Sequence, residues 1–200
     1  MIIISDVHGN YNKLNTILKK NPDKLHIQLG DLGIGFRNNQ KLKYTDNFKF
    51  IRGNHDHPEL SRNHPAYLRD FGKLSIEDKK VFFVSGAYSI DKNWRIPGVS
   101  WWEDEELSIL ELEKAIEEYI EFKPDVMLTH DGPYQATKYL LNFFDQTIPS
   151  RTAQALDAMF EAYQPKIWIF GHWHQNFEKV INGTKFICLE ELGTYELESL

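Results

Sequence analysis

The sequence predicts an α/β fold in which mixed sheets are flanked by helices, and three observations predict it. Short apolar runs of strand length recur along the chain and stop abruptly at polar residues, as at Ile2-Ile3-Ile4-Ser5, Ile27-Gln28-Leu29-Gly30 and Ile167-Trp168-Ile169-Phe170-Gly171. Apolar residues at helical spacing separate the first two of these runs, which makes a β-α-β unit with parallel strands and a right-handed crossover. Further along, strand-like segments face each other across turn residues, so antiparallel hairpins join the parallel strands.

In order, residues 1–5 read as a buried strand. Residues 10–20 place Tyr11, Leu14, Ile17 and Leu18 on one helical face, and Asn21-Pro22-Asp23 stops that helix. Residues 25–29 and 48–51 are the next strands, with a polar, glycine-containing connection over 33–46. Residues 57–72 carry breakers (Pro58, Pro65, Gly72), with short helical turns expected around Tyr67 and Leu68. Residues 74–76 and 81–84 read as a hairpin around Glu77-Asp78-Lys79-Lys80, and 85–102 as a long loop bearing Trp94, Trp101 and Trp102. A helix is expected over 103–122, with Leu107, Leu110, Leu112, Ile116, Tyr119 and Ile120 inward and its glutamates on a solvated face. Pro124 ends it before a strand at 125–129. Helices over 135–144 and 152–163 follow, separated by Ile148-Pro149-Ser150, then a strand at 167–170. Asn182-Gly183 marks a hairpin between 177–181 and 185–189.

Length and composition set bounds. The 200 residues suit one domain spanning 1–200, and 42% hydrophobic with 14% aromatic residues excludes a disordered chain. The apolar runs are too short to span a membrane. The N-terminus enters a strand with no basic, apolar leader, and the single cysteine, Cys188, allows no internal disulfide; the expected compartment is the cytoplasm. The formal net charge is −6, with the acidity concentrated between Glu103 and Glu121 and no basic stripe, which argues against a duplex nucleic-acid partner. A small phosphorylated substrate stays compatible with this charge, because bound metal ions would reverse the local potential.

The strand ends carry the chemistry. They run into Asp6-Val7-His8, Gly30-Asp31, Gly53-Asn54-His55-Asp56, His130-Asp131-Gly132-Pro133 and His172-Trp173-His174. Any one of these could be a polar turn. Their repetition at the carboxyl ends of strands, where α/β folds place ligands, favours a site. Asp6, His8, Asp31, Asn54, His130, His172 and His174 offer carboxylate, amide and imidazole donors. Such donors suit manganese first, with iron, zinc, nickel or cobalt as related choices. The set is too large for one ion and suits two divalent metal ions, with Asp31 as the carboxylate able to bridge them. His172 and His174, at i and i+2, would share one face of a regular strand. Two such ions clamp a phosphoryl group and acidify a bridging water, so the expected nucleophile is hydroxide rather than a serine or cysteine. His55, next to Asn54, is placed to protonate the leaving oxygen as general acid. His26, His57 and His64 read as ordinary core or surface histidines, and the tryptophans as core or lid packing.

Taken together, Asp6-Val7-His8, Gly30-Asp31, Gly53-Asn54-His55-Asp56, Thr129-His130 and Gly171-His172-Trp173-His174 resemble the calcineurin-like metallophosphoesterase superfamily, in its order and across most of the chain. The resemblance implies a four-layer α/β/β/α sandwich. It implies one metal held by Asp6, His8, Asp31 and His174, a second held by Asp31, Asn54, His130 and His172, His55 as catalytic histidine, and Asn54 also touching the phosphate. The expected function is hydrolysis of phosphomonoesters or phosphodiesters, with small or nucleotide-derived substrates favoured. A Ser/Thr protein phosphatase, or a non-catalytic scaffold of the same fold, are the alternatives. The protein-phosphatase branch carries Asp-Arg-Gly where this chain has Ile34-Gly35-Phe36, and Glu where it has Asp56, which counts against the first alternative. It also leaves His55 without its usual aspartate, for which Asp56 or Asp131 could substitute. Arg37 and Arg52 are the candidate phosphate contacts.

Overall fold

The computed structural model describes residues 1–36, 39–76, 78–140 and 150–197. The chain begins with β1 (Ile2–Ile4), α1 (Tyr11–Lys20), β2 (His26–Gln28) and β3 (Phe48–Phe50). The β-α-β expectation holds: β1 and β2 pair in parallel, as do β2 and β3. Asn10 caps α1 by accepting from the Lys13 amide, and Lys19 and Lys20 lie in its last turn, where the helix dipole favours cations. The helix turns Tyr11, Leu14 and Leu18 inward.

Next come α2 (Pro58–Arg62), β4 (Phe71–Ile76) and β5 (Lys79–Val84). The short helix falls earlier than expected, because Pro58 can open a helix where its missing N–H costs nothing. Tyr67 instead bridges to Phe50. The expected hairpin is present, with β4 and β5 each starting earlier than the apolar residues alone suggested.

The helix expected over 103–122 is corrected. A short 3-10 turn occupies Glu103–Glu105, and the true helix is α3 (Ile109–Phe122), opened by a capping box between Ser108 and Glu111. Its buried face is Leu112, Ala115 and Tyr119, while Leu110 is 77% exposed and Ile120 is also exposed. Starting the helix too early shifted the stripe, because Leu107 is buried but precedes the cap.

The chain continues through β6 (Val126–Thr129), α4 (Tyr134–Thr137), α5 (Arg151–Ala162), β7 (Ile167–Phe170), β8 (Phe177–Ile181), β9 (Thr184–Cys188) and β10 (Thr194–Glu196). Ser150 caps α5 by accepting from the Ala153 amide. The part of the expected 135–144 helix beyond residue 140, and Ile148-Pro149, lie outside the described residues. Strand β10 was not expected; it closes the edge of the first sheet against β1.

Two sheets result, ordered β10-β1-β2-β3 and β4-β5-β6-β7-β9-β8. Strand alternation places three cores. Ile3, Ile27, Leu29 and Ile51 from the first sheet meet Val81, Phe83, Leu128, Ile169 and Ile187 from the second, so the sheets pack face to face. Ile2, Ile4, Phe48 and Phe50 point the other way, onto Leu14 and Leu18 of α1. Phe82, Met127, Trp168, Phe170 and Phe186 cover the far side of the second sheet beneath α3 and α5. These are the four layers of the α/β/β/α sandwich. Because β1, β2, β3, β6 and β7 run parallel within their sheets, the loops after them can gather at one edge.

Candidate metal centre

They do gather there. Asp6 and His8 follow β1, Asp31 follows β2, Asn54 and His55 follow β3, His130 follows β6, and His172 and His174 follow β7. Ligand atoms of Asp6, His8, Asp31 and His174 lie within 4.8 Å of one another, as do those of Asp31, His130 and His172. Asp31 belongs to both groups. Its Oδ1 is 3.3 Å from His130 Nε2, and its Oδ2 is 3.8 Å from His8 Nε2. Asn54 Oδ1 lies 3.0 Å from His130 Nε2, which places the amide oxygen in the second group. Across the first group, His174 Nε2 is 3.4 Å from Asp6 Oδ1 and 2.9 Å from His8 Nε2.

The backbone is bent to achieve this. His8, Asp31, His172 and His174 all adopt left-handed φ values, between 46° and 67°. Each such non-glycine residue costs about 1–3 kcal/mol, and strain of this kind concentrates where function demands it. The one-face expectation for His172 and His174 is thereby corrected. Neither is in a strand, and the two imidazoles serve different groups. Glycine is required for close approach at Gly53, where an added β-carbon would fall on Asp31 Oδ1 and 2.6 Å from His130 Nε2. Gly53→Ala is expected to leave a folded chain with less than one tightly held metal equivalent, measured by elemental analysis after reconstitution.

Hydrogen bonds fix the donors in place. The His130 Nδ1–H donates to the Leu29 carbonyl at 2.7 Å, which directs Nε2 into the site. Asp6 accepts from Ser5 Oγ and from the His172 amide. Asp31 Oδ1 accepts from the His55 amide at 2.7 Å. The Asn54 amide nitrogen donates to Ser89 Oγ at 3.1 Å, and Ser89 in turn donates its hydroxyl and backbone N–H to the buried Glu105 carboxylate. This pins Asn54 with its oxygen turned toward His130.

Asp6 and Asp31 are both buried. Burial alone would raise their pKa values. Attraction to His174 and His130 outweighs it for Asp6, and attraction to His130, His55 and His8 outweighs it for Asp31, so both carboxyls are held below the ordinary range. Burial opposes charge on His130, but Asp31 and Asp6 overcome it and raise its pKa to about 10. The centre is therefore a buried concentration of negative charge that favours protons on His130 and His174, while burial holds the His172 imidazole below its ordinary value. Mixed oxygen and nitrogen donors, fixed by their own partners and short of cationic charge, fit a pair of divalent cations.

His55 stands at the mouth of this centre, its ring 5.0 Å from that of His8. Burial, reinforced by the charges of Arg95 and His8 against the pull of Asp31, lowers its pKa to about 4. Neither proposed aspartate partner reaches it. Asp56 is buried and accepts from the backbone amides of Leu32, Gly33, Ile34 and Gly53, tying the second loop to the third. Asp131 accepts from Gly132 N and from the Trp173 indole. The contact of the His55 ring nitrogen is instead Arg95 Nη2.

The phosphate-contact expectations also change. Arg37 lies outside the described residues. Arg52 is fully buried, its Nε 2.8 Å from Asp70 Oδ1 and its Nη1 donating to the Glu105 carbonyl, so its charge is spent within the fold. Burial pushes the Asp70 carboxyl up, but Arg52 and Arg62 outweigh that and hold it below its ordinary value. The stability this lends is present above the ordinary carboxylate range and is lost as pH falls through the lowered native value. Asp70→Ala, which strands the Arg52 guanidinium, is expected to destabilise the fold by about 3–5 kcal/mol. Urea unfolding checks this, and the difference from the parent protein should narrow at acid pH.

Sequence reading missed Arg95, Ser89 and Glu105. All three belong to the 85–102 loop or the turn after it, where no periodic signal marks a residue's direction.

The comparisons with known proteins agree with this architecture. Residues 1–176 match the family described as calcineurin-like phosphoesterase. The chain belongs to that family. Over 79 residues it is 35% identical to the Caenorhabditis elegans serine/threonine-protein phosphatase PP1-delta, a match covering 34% of this chain and 26% of that protein. The fold is shared with a putative 5'-nucleotidase from Staphylococcus aureus solved with alpha-ketoglutarate, at a TM-score of 0.59 and 17% identity, covering 96% of this chain and 48% of that one. It is also shared with a hypothetical protein from Thermus thermophilus, at a TM-score of 0.50 and 14% identity, over 96% and 75% of the two chains. The chain thus spans about a quarter of the phosphatase and about half of the nucleotidase. Among the described residues no helix is long and apolar enough to cross a membrane.

Proposed function

We propose that this protein hydrolyses phosphoesters at a two-metal centre, with Asp6, His8, Asp31 and His174 holding one ion and Asp31, Asn54, His130 and His172 the other. The single observation that carries the reading is that Asp31 is common to two clusters of ligand atoms. When bound, two divalent ions supply positive charge to the phosphoryl oxygens and lower the pKa of water. Manganese is the ion we favour, on the mixed oxygen and nitrogen donors. Asp31 sets the spacing of the two groups and, through its bond to the His55 amide, fixes where that imidazole stands. His55 delivers a proton to the leaving oxygen. Its lowered pKa keeps it neutral at pH 7 in the chain by itself, and the dianionic phosphoryl group of a substrate would supply the negative charge that lets it take up a proton.

The substrate favoured is a small or nucleotide-derived ester rather than a phosphoprotein. Support comes from Ile34-Gly35-Phe36, which stand where the protein-phosphatase branch carries Asp-Arg-Gly. Purified, manganese-loaded protein is expected to hydrolyse p-nitrophenyl phosphate or bis-p-nitrophenyl phosphate. No turnover of either, with two metal equivalents bound, would overturn the reading. Removing the metal with a chelator should abolish the activity, and manganese should restore it.

The Ser89–Glu105 pair enters the same account through Asn54. Ser89→Ala leaves the Asn54 amide free to rotate its oxygen away from His130. Metal affinity is expected to fall about tenfold to hundredfold, as for other outer-shell partners of metal ligands, with little change in melting temperature. Titration with manganese, followed by calorimetry, measures it.

A further inference from the structure

The 85–102 loop brings one arginine into the mouth of the centre. Arg95 follows a short 3-10 turn (Lys92–Trp94) and is flanked by Trp94, which is 90% exposed, and by Ile96, also exposed. Its own side chain turns the other way and is only 7% exposed. One Nη2 atom meets both His55 Nε2 and Asp91 Oδ1, the latter at 2.7 Å. The Nη1 atom lies 3.4 Å from the Asn54 and Ser100 carbonyl oxygens, long for a hydrogen bond.

The loop is not loosely attached. The Gly98 amide donates to the Trp101 carbonyl at 2.8 Å, and Ser100 Oγ accepts from the Ile96 amide at 3.0 Å. Trp102 packs against Phe36 and His57 on the opposite wall. Arg95 is thus held against the imidazole by the fold of its loop.

That position is poorly served by its present partners. A guanidinium has five N–H donors in a planar fork, and here it meets one carboxylate, one ring nitrogen and two distant carbonyls. Non-bridging phosphoryl oxygens placed beside His55 would give the fork acceptors matched to its geometry.

We infer that Arg95 is the substrate-binding cation of this centre, engaging the non-bridging oxygens of the phosphoryl group beside His55, the role sequence reading gave to Arg37 and Arg52. The inference rests on the two-metal reading above, and its test separates the two.

The protein is reconstituted with manganese, its metal content is measured, and inorganic phosphate is titrated into it by calorimetry. Arg95→Met is expected to keep the metal content and weaken phosphate binding about tenfold to hundredfold, the usual range for a charge-assisted contact. Arg95→Lys, which keeps the charge but not the fork, should recover part of the loss. With p-nitrophenyl phosphate, KM should rise in step with the weakened phosphate affinity. Phosphate binding within twofold of the parent protein in both variants would overturn the role of Arg95 alone. A parent protein that retains fewer than two manganese equivalents would overturn the two-metal reading, whereas one that holds two and binds no phosphate would overturn the role of Arg95. Should Arg95→Met not fold, Arg95→Lys and Arg95→Gln carry the same comparison.

Discussion

Asp31→Asn is expected to cost the protein both metal equivalents and about a thousandfold or more in kcat/KM, because its carboxylate is the donor common to the two groups. The substitution is nearly isosteric, and the amide oxygen can still accept from the His55 amide, as Oδ1 does now at 2.7 Å. Asparagine is also among the residues that best tolerate the left-handed φ of 56° found at this position. What is removed is the negative charge against which His130 and His8 are arrayed. The fold should therefore survive while the centre empties. Elemental analysis and a melting curve on the same sample decide it. Two retained equivalents in Asp31→Asn would mean that the donors do not share this residue.

His55→Ala is expected to have an effect that depends on the leaving group. For alkyl phosphates, whose departing oxygen needs a proton, the loss in kcat should be about a hundredfold to ten-thousandfold. For nitrophenyl esters, whose leaving group departs as the anion, it should be small. The geometry supports this split, because the His55 ring lies beside His8 and Arg95 rather than inside either cluster of ligand atoms, so metal content should not change. Equal losses on both ester classes would assign His55 to holding substrate instead of transferring a proton.

Much of this was legible in the sequence because strands end where ligands begin. Apolar runs of β length gave away β1, β2, β3, β6 and β7, and the Asp, Asn and His residues just beyond them were the ones the fold gathers. The elements that escaped were those whose signal is not periodic. Strand β10 is a three-residue edge with exposed positions, carrying no alternation long enough to notice. The start of α3 was hidden because Leu107 fits a helical stripe, yet Ser108 caps the helix after it. His172 and His174 were assigned to one strand face on spacing alone, and only the left-handed backbone at both explains how neighbours so close in sequence serve different groups. Arg52 drew attention by lying beside Gly53-Asn54, but alternation along β3 and its extension sends it inward to Asp70. Arg95 had no such neighbour in sequence, since it reaches the centre from a loop of 3-10 and bridge geometry.

The most direct test is anomalous diffraction from crystals grown with manganese, collected on either side of its absorption edge. Two peaks are expected about 3.5–4 Å apart, one on each side of the Asp31 carboxylate. A single peak, or two peaks that do not share Asp31, would contradict the two-metal reading.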